Sequence, residues 1–131
     1  MPRGFIKPTI HPSRVLSVDW AYLAAMIDGE GSVAYVKAPN QNDFYTLAVY
    51  NSYEPLIDWI HRTFGGRKYT IHRITTNVCS NPKPQYRWII SSQKNVYLIL
   101  LFIIPFLKVK HEVAEIALQH IYRRKLRTVV N

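Results

Sequence analysis

Leu23-Ala24-Ala25-Met26-Ile27-Asp28-Gly29-Glu30-Gly31 is the stretch on which the reading of this chain turns. An apolar run ends in two carboxylates, and the second, Glu30, stands between glycines. Ser17 to about Asp28 reads as an apolar helix, opened by a capping hydroxyl at Ser17 and by Asp19 near the positive end of the helix dipole. Glu30 then falls on freed backbone just past the helix, where a hard cation can reach a carboxylate.

Beyond Gly31 the hydrophobic period changes from helical to alternating. Two strands, about 32–38 and 43–51, flank the turn-forming Pro39-Asn40-Gln41-Asn42 and make a hairpin. Leu56, Ile57, Ile60 and Phe64 recur at helical spacing from Glu54 onward, and Gly65-Gly66 closes that second helix. The half-pattern then repeats: 67–74 and 85–92 alternate around a polar loop, and an apolar helix begins near Lys94. Pro105 interrupts it, and a last helix runs from about Lys108 with Val113, Ile116, Ala117, His120 and Ile121 on one face. The order αββαββα(α) predicts an α+β fold, a saddle-shaped four-stranded antiparallel sheet with helices on one face and the other face open.

With 131 residues the chain fits one domain, 1–131. Residues 1–16, basic and carrying Pro2, Pro8 and Pro12, read as an irregular arm rather than a signal peptide. Seventeen Lys and Arg against eight Asp and Glu give a formal charge of +9, a field that attracts phosphate polyanions. A single cysteine, Cys79, excludes an internal disulfide, so an intracellular location is expected. The apolar run 96–107 is shorter than the roughly 20 residues of a membrane span and contains proline, so no membrane partner is expected. Other chemistries fail on spacing. His111-Glu112 is followed by Glu115 where a helical zinc motif needs histidine, and Gly65-Gly66-Arg67-Lys68 lacks the long loop and hydroxyl of a P-loop.

The nonapeptide resembles the signature of the LAGLIDADG homing endonucleases. Ala25 stands for the usual Gly, Met26 for Leu, Gly29 for Ala, and Glu30 for the second Asp. The resemblance spans Trp20 to Leu118 and includes one copy of the motif, the arrangement of family members that act as homodimers. It implies a site-specific endonuclease that cuts both strands of a long, near-palindromic DNA duplex using Mg²⁺, with Mn²⁺ or Ca²⁺ able to substitute. A second reading keeps the fold without the cleavage, as an intron-splicing maturase or a DNA-binding regulator.

The resemblance also assigns roles. Glu30 would be the catalytic metal ligand, joined by the Gly29 carbonyl. Pro105-Phe106-Leu107-Lys108-Val109-Lys110 resembles the segment whose final lysine reaches the active site, which makes Lys110 the charge-stabilising candidate and Lys108 the substitute. Asn51 matches a residue that positions the water network. Ala21, Ala24, Ala25 and Asp28 recur at helical spacing, so two copies of the first helix can approach along small side chains, with Asp28 capping the partner helix or supporting the interface. The DNA would be read by the open sheet face. Strand alternation assigns Lys68, Thr70, His72, Arg87 and Ser91 to it in the second hairpin, with Tyr69, Ile71, Tyr86, Trp88 and Ile90 facing the helices. In the first hairpin Ser32, Asn40, Asn42, Thr46 and Tyr50 are assigned to it. Ala34, Val36, Phe44 and Ala48 fall on the same side, unless a bulge shifts the phase and brings in Lys37.

Overall fold

The computed structural model describes residues 10–71 and 84–130, the side chains of 126–130 excepted. The chain forms α1 (Ser17–Glu30), β1 (Gly31–Val36), β2 (Phe44–Asn51), α2 (Glu54–Phe64), β3 (Arg67–Ile71), β4 (Gln85–Ile90), α3 (Gln93–Ile103) and α4 (His111–Val130). Short 3₁₀ turns at Pro12–Arg14 and Ile104–Phe106 complete it. The strands make one antiparallel sheet in the order β1-β2-β4-β3, so the two hairpins meet through their second strands.

Leu47, Val49, Trp88 and Ile90 project from one face of the sheet into a core shared with Leu23 and Ile27 of α1, Ile57, Ile60 and Phe64 of α2, Val96, Ile99, Leu100 and Ile103 of α3, and Ala114 and Ala117 of α4. At about 25 cal/mol per Å² of apolar area, this layer supplies the main driving force for folding. The expected α+β architecture holds.

Three details depart from the sequence reading. The helix begins one residue earlier than a Ser17 cap would require: Leu16 occupies the cap position without a side-chain acceptor, and only half of a capping box forms, Leu16 N–H donating to Asp19 Oδ2 at 3.3 Å. The helix also continues through Glu30, which is its last residue rather than a residue beyond it. Within the stretch read as an irregular arm, Ile10 is buried in the core. The last helix starts at His111 instead of Lys108, because Lys110 serves as its cap, its carbonyl accepting the Ala114 N–H at 3.0 Å.

Two glycines set the sheet against the helices. At Gly31 an added Cβ would lie 2.3 Å from the Ala48 carbonyl oxygen and 2.8 Å from Ile27 Cα, so only glycine lets α1 pass directly into β1. At Gly66 (φ 84°) a Cβ would meet the Ile89 carbonyl, and the preceding Gly65 carbonyl accepts the Trp88 indole N–H at 2.6 Å. The second helix is thereby locked to the centre of the sheet.

Candidate active site and nucleic-acid interface

The C-terminal end of α1 carries two carboxylates and no basic residue in its last turn. That end of a helix is electronegative, so carboxylates there are stable only with donors or cations nearby. The two have different solutions. Asp28 turns back into its own chain, accepting the backbone N–H of Lys108 at 2.7 Å and of Lys110 at 2.9 Å. Burial alone would raise its pKa, but the backbone N–H groups of Lys108, Lys110 and Val109, with the Lys110 charge, outweigh it and hold the carboxyl below its ordinary range. The Lys110 ammonium in turn donates to the Asp28 carbonyl oxygen at 2.8 Å. Asp28 thus fastens α1 to the start of α4: its carboxylate accepts its backbone donors within the chain, so it is not needed to cap a partner helix, and its support of an interface remains a proposal.

Glu30 is exposed and takes no part in that fastener's hydrogen bonds among the described residues. It accepts a hydrogen bond from Asn51 Nδ2 at 2.6 Å, while Asn51 Oδ1 accepts the Tyr53 N–H at 2.7 Å. The amide of Asn51 is fixed at both ends, and so aims the Glu30 carboxylate. Glu30, Asn51 and Lys110 therefore gather around one helix end from three separate elements. Lys108 contributes its backbone N–H to Asp28 while its residue remains exposed. The available donors, a carboxylate and backbone carbonyls, are hard oxygens suited to Mg²⁺ or Ca²⁺. Among the described residues no group of three or more His, Cys, Asp or Glu converges.

The α1 helix is apolar on both sides. Trp20, Leu23, Ala24 and Ile27 are buried in the core, whereas Val18 (68% exposed), Tyr22 (48%), Ala25 and Gly29 recur at helical spacing on the outside. Ala24, fully buried within the chain, is thus removed from the interface candidates, while Ala25 is exposed and Ala21 half-buried. At Gly29 an added Cβ would meet nothing within 4 Å.

On the sheet, register assigns each face. Cross-strand partners share a face, and the rows Ser32–Ala48–Ile89–Arg67 and Tyr50–Arg87–Tyr69 alternate with the helix-facing row Val49–Trp88–Lys68. Ser32, Thr46, Tyr50 and Arg87 therefore belong to the open face by register, although Thr46 is buried there, and Ser91 borders the groove, of about 660 Å³. Lys68 and Thr70 do not: they pair with Trp88 and Tyr86 and face the helices. Lys68 binds Asp58 at 2.6 Å and Glu54 at 3.1 Å on α2, and the Asp58 hydrogen bond foremost, opposed by partial desolvation and reinforced by Glu54, raises its pKa. A lysine at an inward edge position satisfied by two helix acids looks the same, in sequence, as one facing solvent.

The open face of β3 instead presents Arg67, Tyr69 and Ile71, of which simple alternation placed Tyr69 and Ile71 on the wrong side. The Arg87 guanidinium lies 4.8 Å from the centre of the Tyr69 ring. No bulge interrupts β1–β2, so Lys37 lies in the loop after β1 with Asn40 and Asn42, all exposed. His72 lies outside the described residues.

A four-stranded antiparallel sheet backed by helices, with αββα repeated and a carboxylate at the end of the first helix, has clear counterparts among solved structures. The fold is that of the LAGLIDADG homing endonucleases. The homing endonuclease I-CvuI, solved with the I-CreI target in the presence of Mg with its DNA not cleaved, superposes at TM-score 0.61 with 18% identity, over 80% of this chain and 66% of its own. The archaeal intron-encoded I-Vdi141I complexed with DNA gives 0.57 and 14%, over 80% of this chain and 67% of its own. I-SmaMI, a LAGLIDADG homing endonuclease bound to cleaved DNA, gives 0.65 and 14%, over 97% of this chain and 41% of its own. No protein-family model matches the sequence, and no curated protein matches it. This chain thus spans about two thirds of the length of I-CvuI and less than half that of I-SmaMI. In the described part of this LAGLIDADG fold no helix is long and apolar enough to cross a membrane.

Proposed function

We propose that this chain is a divalent-metal-dependent DNA endonuclease that acts as a homodimer on both strands of a long, near-palindromic duplex. The observation that carries the reading is the meeting of Glu30, Asn51 and Lys110 at the end of a helix whose outer side is apolar and lined by Ala25 and Gly29. Each protomer would bring Glu30 and the Gly29 carbonyl to the metal, with Mg²⁺ favoured and Mn²⁺ or Ca²⁺ as substitutes. When bound, the metal supplies a Lewis acid and an activated water. The chain's own residues do the rest: Asn51 orients Glu30, and Lys110, anchored by the Asp28 carbonyl, brings positive charge towards the scissile phosphate.

Two copies related by a twofold axis through α1 make a site from one carboxylate each, and a symmetric protein reads a symmetric target. The structural relatives, themselves DNA complexes, support double-stranded DNA as the partner. Incubating the protein with a randomised duplex library and Mg²⁺, then sequencing cut ends, tests it. Paired double-strand ends at one twofold-symmetric set of sites are expected. Tight duplex binding without cut ends would leave the maturase or regulator reading.

A further inference from the structure

The open sheet face divides into two chemically distinct halves. On β4–β3 the row nearest the candidate active site is Tyr50–Arg87–Tyr69, one residue from Asn51, and Arg67 lies in the next row. Tyr69 stands between the two arginines: the Arg87 guanidinium lies over its ring, and Arg67 Nη1 is 3.5 Å from its hydroxyl. Arg87 Nε is buried without a hydrogen-bond partner among the described residues. A stacked guanidinium has lost much of its rotamer freedom before any ligand arrives, and its terminal N–H groups form a fork. That fork matches the O6 and N7 acceptors of guanine in the major groove.

On β1–β2 the open-face positions are Ser32, Ala34, Val36, Phe44, Thr46, Ala48 and Tyr50. Among the described residues these strand positions carry no charge, so they neither neutralise phosphate nor form a bidentate pair with a base. Ala48 is buried and shares the row of Arg67, so what Ala34, Val36 and Phe44, each half-buried, can do is cover the C5-methyl of thymine, the one apolar group on a major-groove base edge. Val36 lies six residues beyond Glu30 along an extended strand, roughly 20 Å or about six base pairs outward.

Resting on the reading of this face as a DNA-binding surface, we infer that each half-site has a two-part composition, with guanine beneath Arg87 and Arg67 near the centre and thymine along the apolar rows further out. Selection of the full chain on a randomised duplex library, by binding alone in Ca²⁺, should enrich G·C pairs in the inner part of each half-site and T·A pairs outside them. Replacing the outer thymines of a selected site by deoxyuridine removes only the methyl groups, and should weaken binding by about three- to fourfold for each covered methyl. Arg87→Ala and Arg67→Ala should each flatten the inner guanine preference by roughly 5- to 100-fold while leaving the deoxyuridine effect unchanged. A selected site that tolerates deoxyuridine throughout, or an inner preference indifferent to both arginines, overturns the inference while leaving DNA binding intact. A chain that selects no duplex overturns both this inference and the proposed function.

Discussion

The inner and outer faces of α1 differ in what surrounds them. Inward, Trp20, Leu23 and Ile27 are fully packed, Trp20 stacking on Phe102 and tilting against Phe64, and Asp28 is satisfied by two backbone donors. Outward, Val18 and Tyr22 are exposed, Gly29 has open space where a side chain would go, and Glu30, exposed, accepts a hydrogen bond from Asn51. The inner face accounts for the stability of one protomer. The outer face is apolar and ends in an exposed carboxylate at an electronegative helix end, and the proposed function assigns it a second helix and a cation.

Substitutions that act on one face and not the other break this comparison. The largest effect is expected from Glu30→Gln. The amide keeps an oxygen for Asn51 and removes the charge, so cleavage should fall by roughly a thousandfold or more, with thermal stability and DNA binding unchanged within a few-fold. Single-turnover cleavage alongside a binding titration separates the two, and unimpaired cleavage would remove Glu30 from the metal site. Next in size is a matched pair. Leu23→Ala leaves a cavity in the core and should cost about 2–5 kcal/mol of unfolding free energy. Ala25→Leu, two residues on, should leave protomer stability nearly unchanged but cost about 1–3 kcal/mol of dimerisation by overpacking the helix pair. Denaturation and sedimentation on both variants should show opposite patterns; equal losses of stability would mean that the outer face is packed within the chain.

Much of this frame was legible in the sequence because it rests on local periodicity. The bounds of α2 follow from Ile57, Ile60, Phe64 and the two glycines, and the inward phase of β4 from Trp88 and Ile90. What was not legible depends on partners far along the chain. The destination of Asp28 is some eighty residues away, and Lys68 faces inward because Glu54 and Asp58 happen to meet it from α2. Strand alternation gives the period but not its phase when, as in Arg67 to Ile71, polar and apolar side chains occupy both faces of an edge strand. Within the candidate site, Glu30, Asn51 and Lys110 came from resemblance; Arg67 was missed because its significance lies in Tyr69 and Arg87 beside it.

Asp28 sharpens the inner side of the comparison. Asp28→Asn retains one acceptor oxygen for two backbone donors and should cost about 1 kcal/mol at neutral pH, in the range of a lost helix cap. Because the folded-state pKa is lowered, the carboxylate's contribution is present at neutral pH and is lost as the pH falls through the lowered value, beneath the ordinary 3.8. Urea unfolding of both proteins at successively lower pH should therefore show their stabilities converging under acid conditions. A gap that stays constant there would mean that the charge of Asp28 contributes nothing.

The smallest effect, and the most discriminating, is expected at Gly29. The LAGLIDADG signature carries Gly and Ala four residues apart on this face, whereas this chain carries Ala25 and Gly29, the same two small residues in exchanged positions. A helix interior prefers alanine to glycine by about 0.5–1 kcal/mol, and nothing in the protomer lies within 4 Å of the missing Cβ, so Gly29→Ala should stabilise the protomer by about that amount. If two α1 helices meet on this face, the new methyl lies at the interface beside that of Ala25, and dimerisation should weaken by about 1 kcal/mol while the protomer gains. Adding Ala25→Gly to Gly29→Ala recreates the signature's own order and should return dimer affinity to its original level, at the cost of the gained stability. Sedimentation of the single and double variants decides it: a single variant that gains stability with no change in dimer affinity would show that the helices do not approach at Gly29, and that the outer face of α1 meets its partner nearer Val18 and Tyr22.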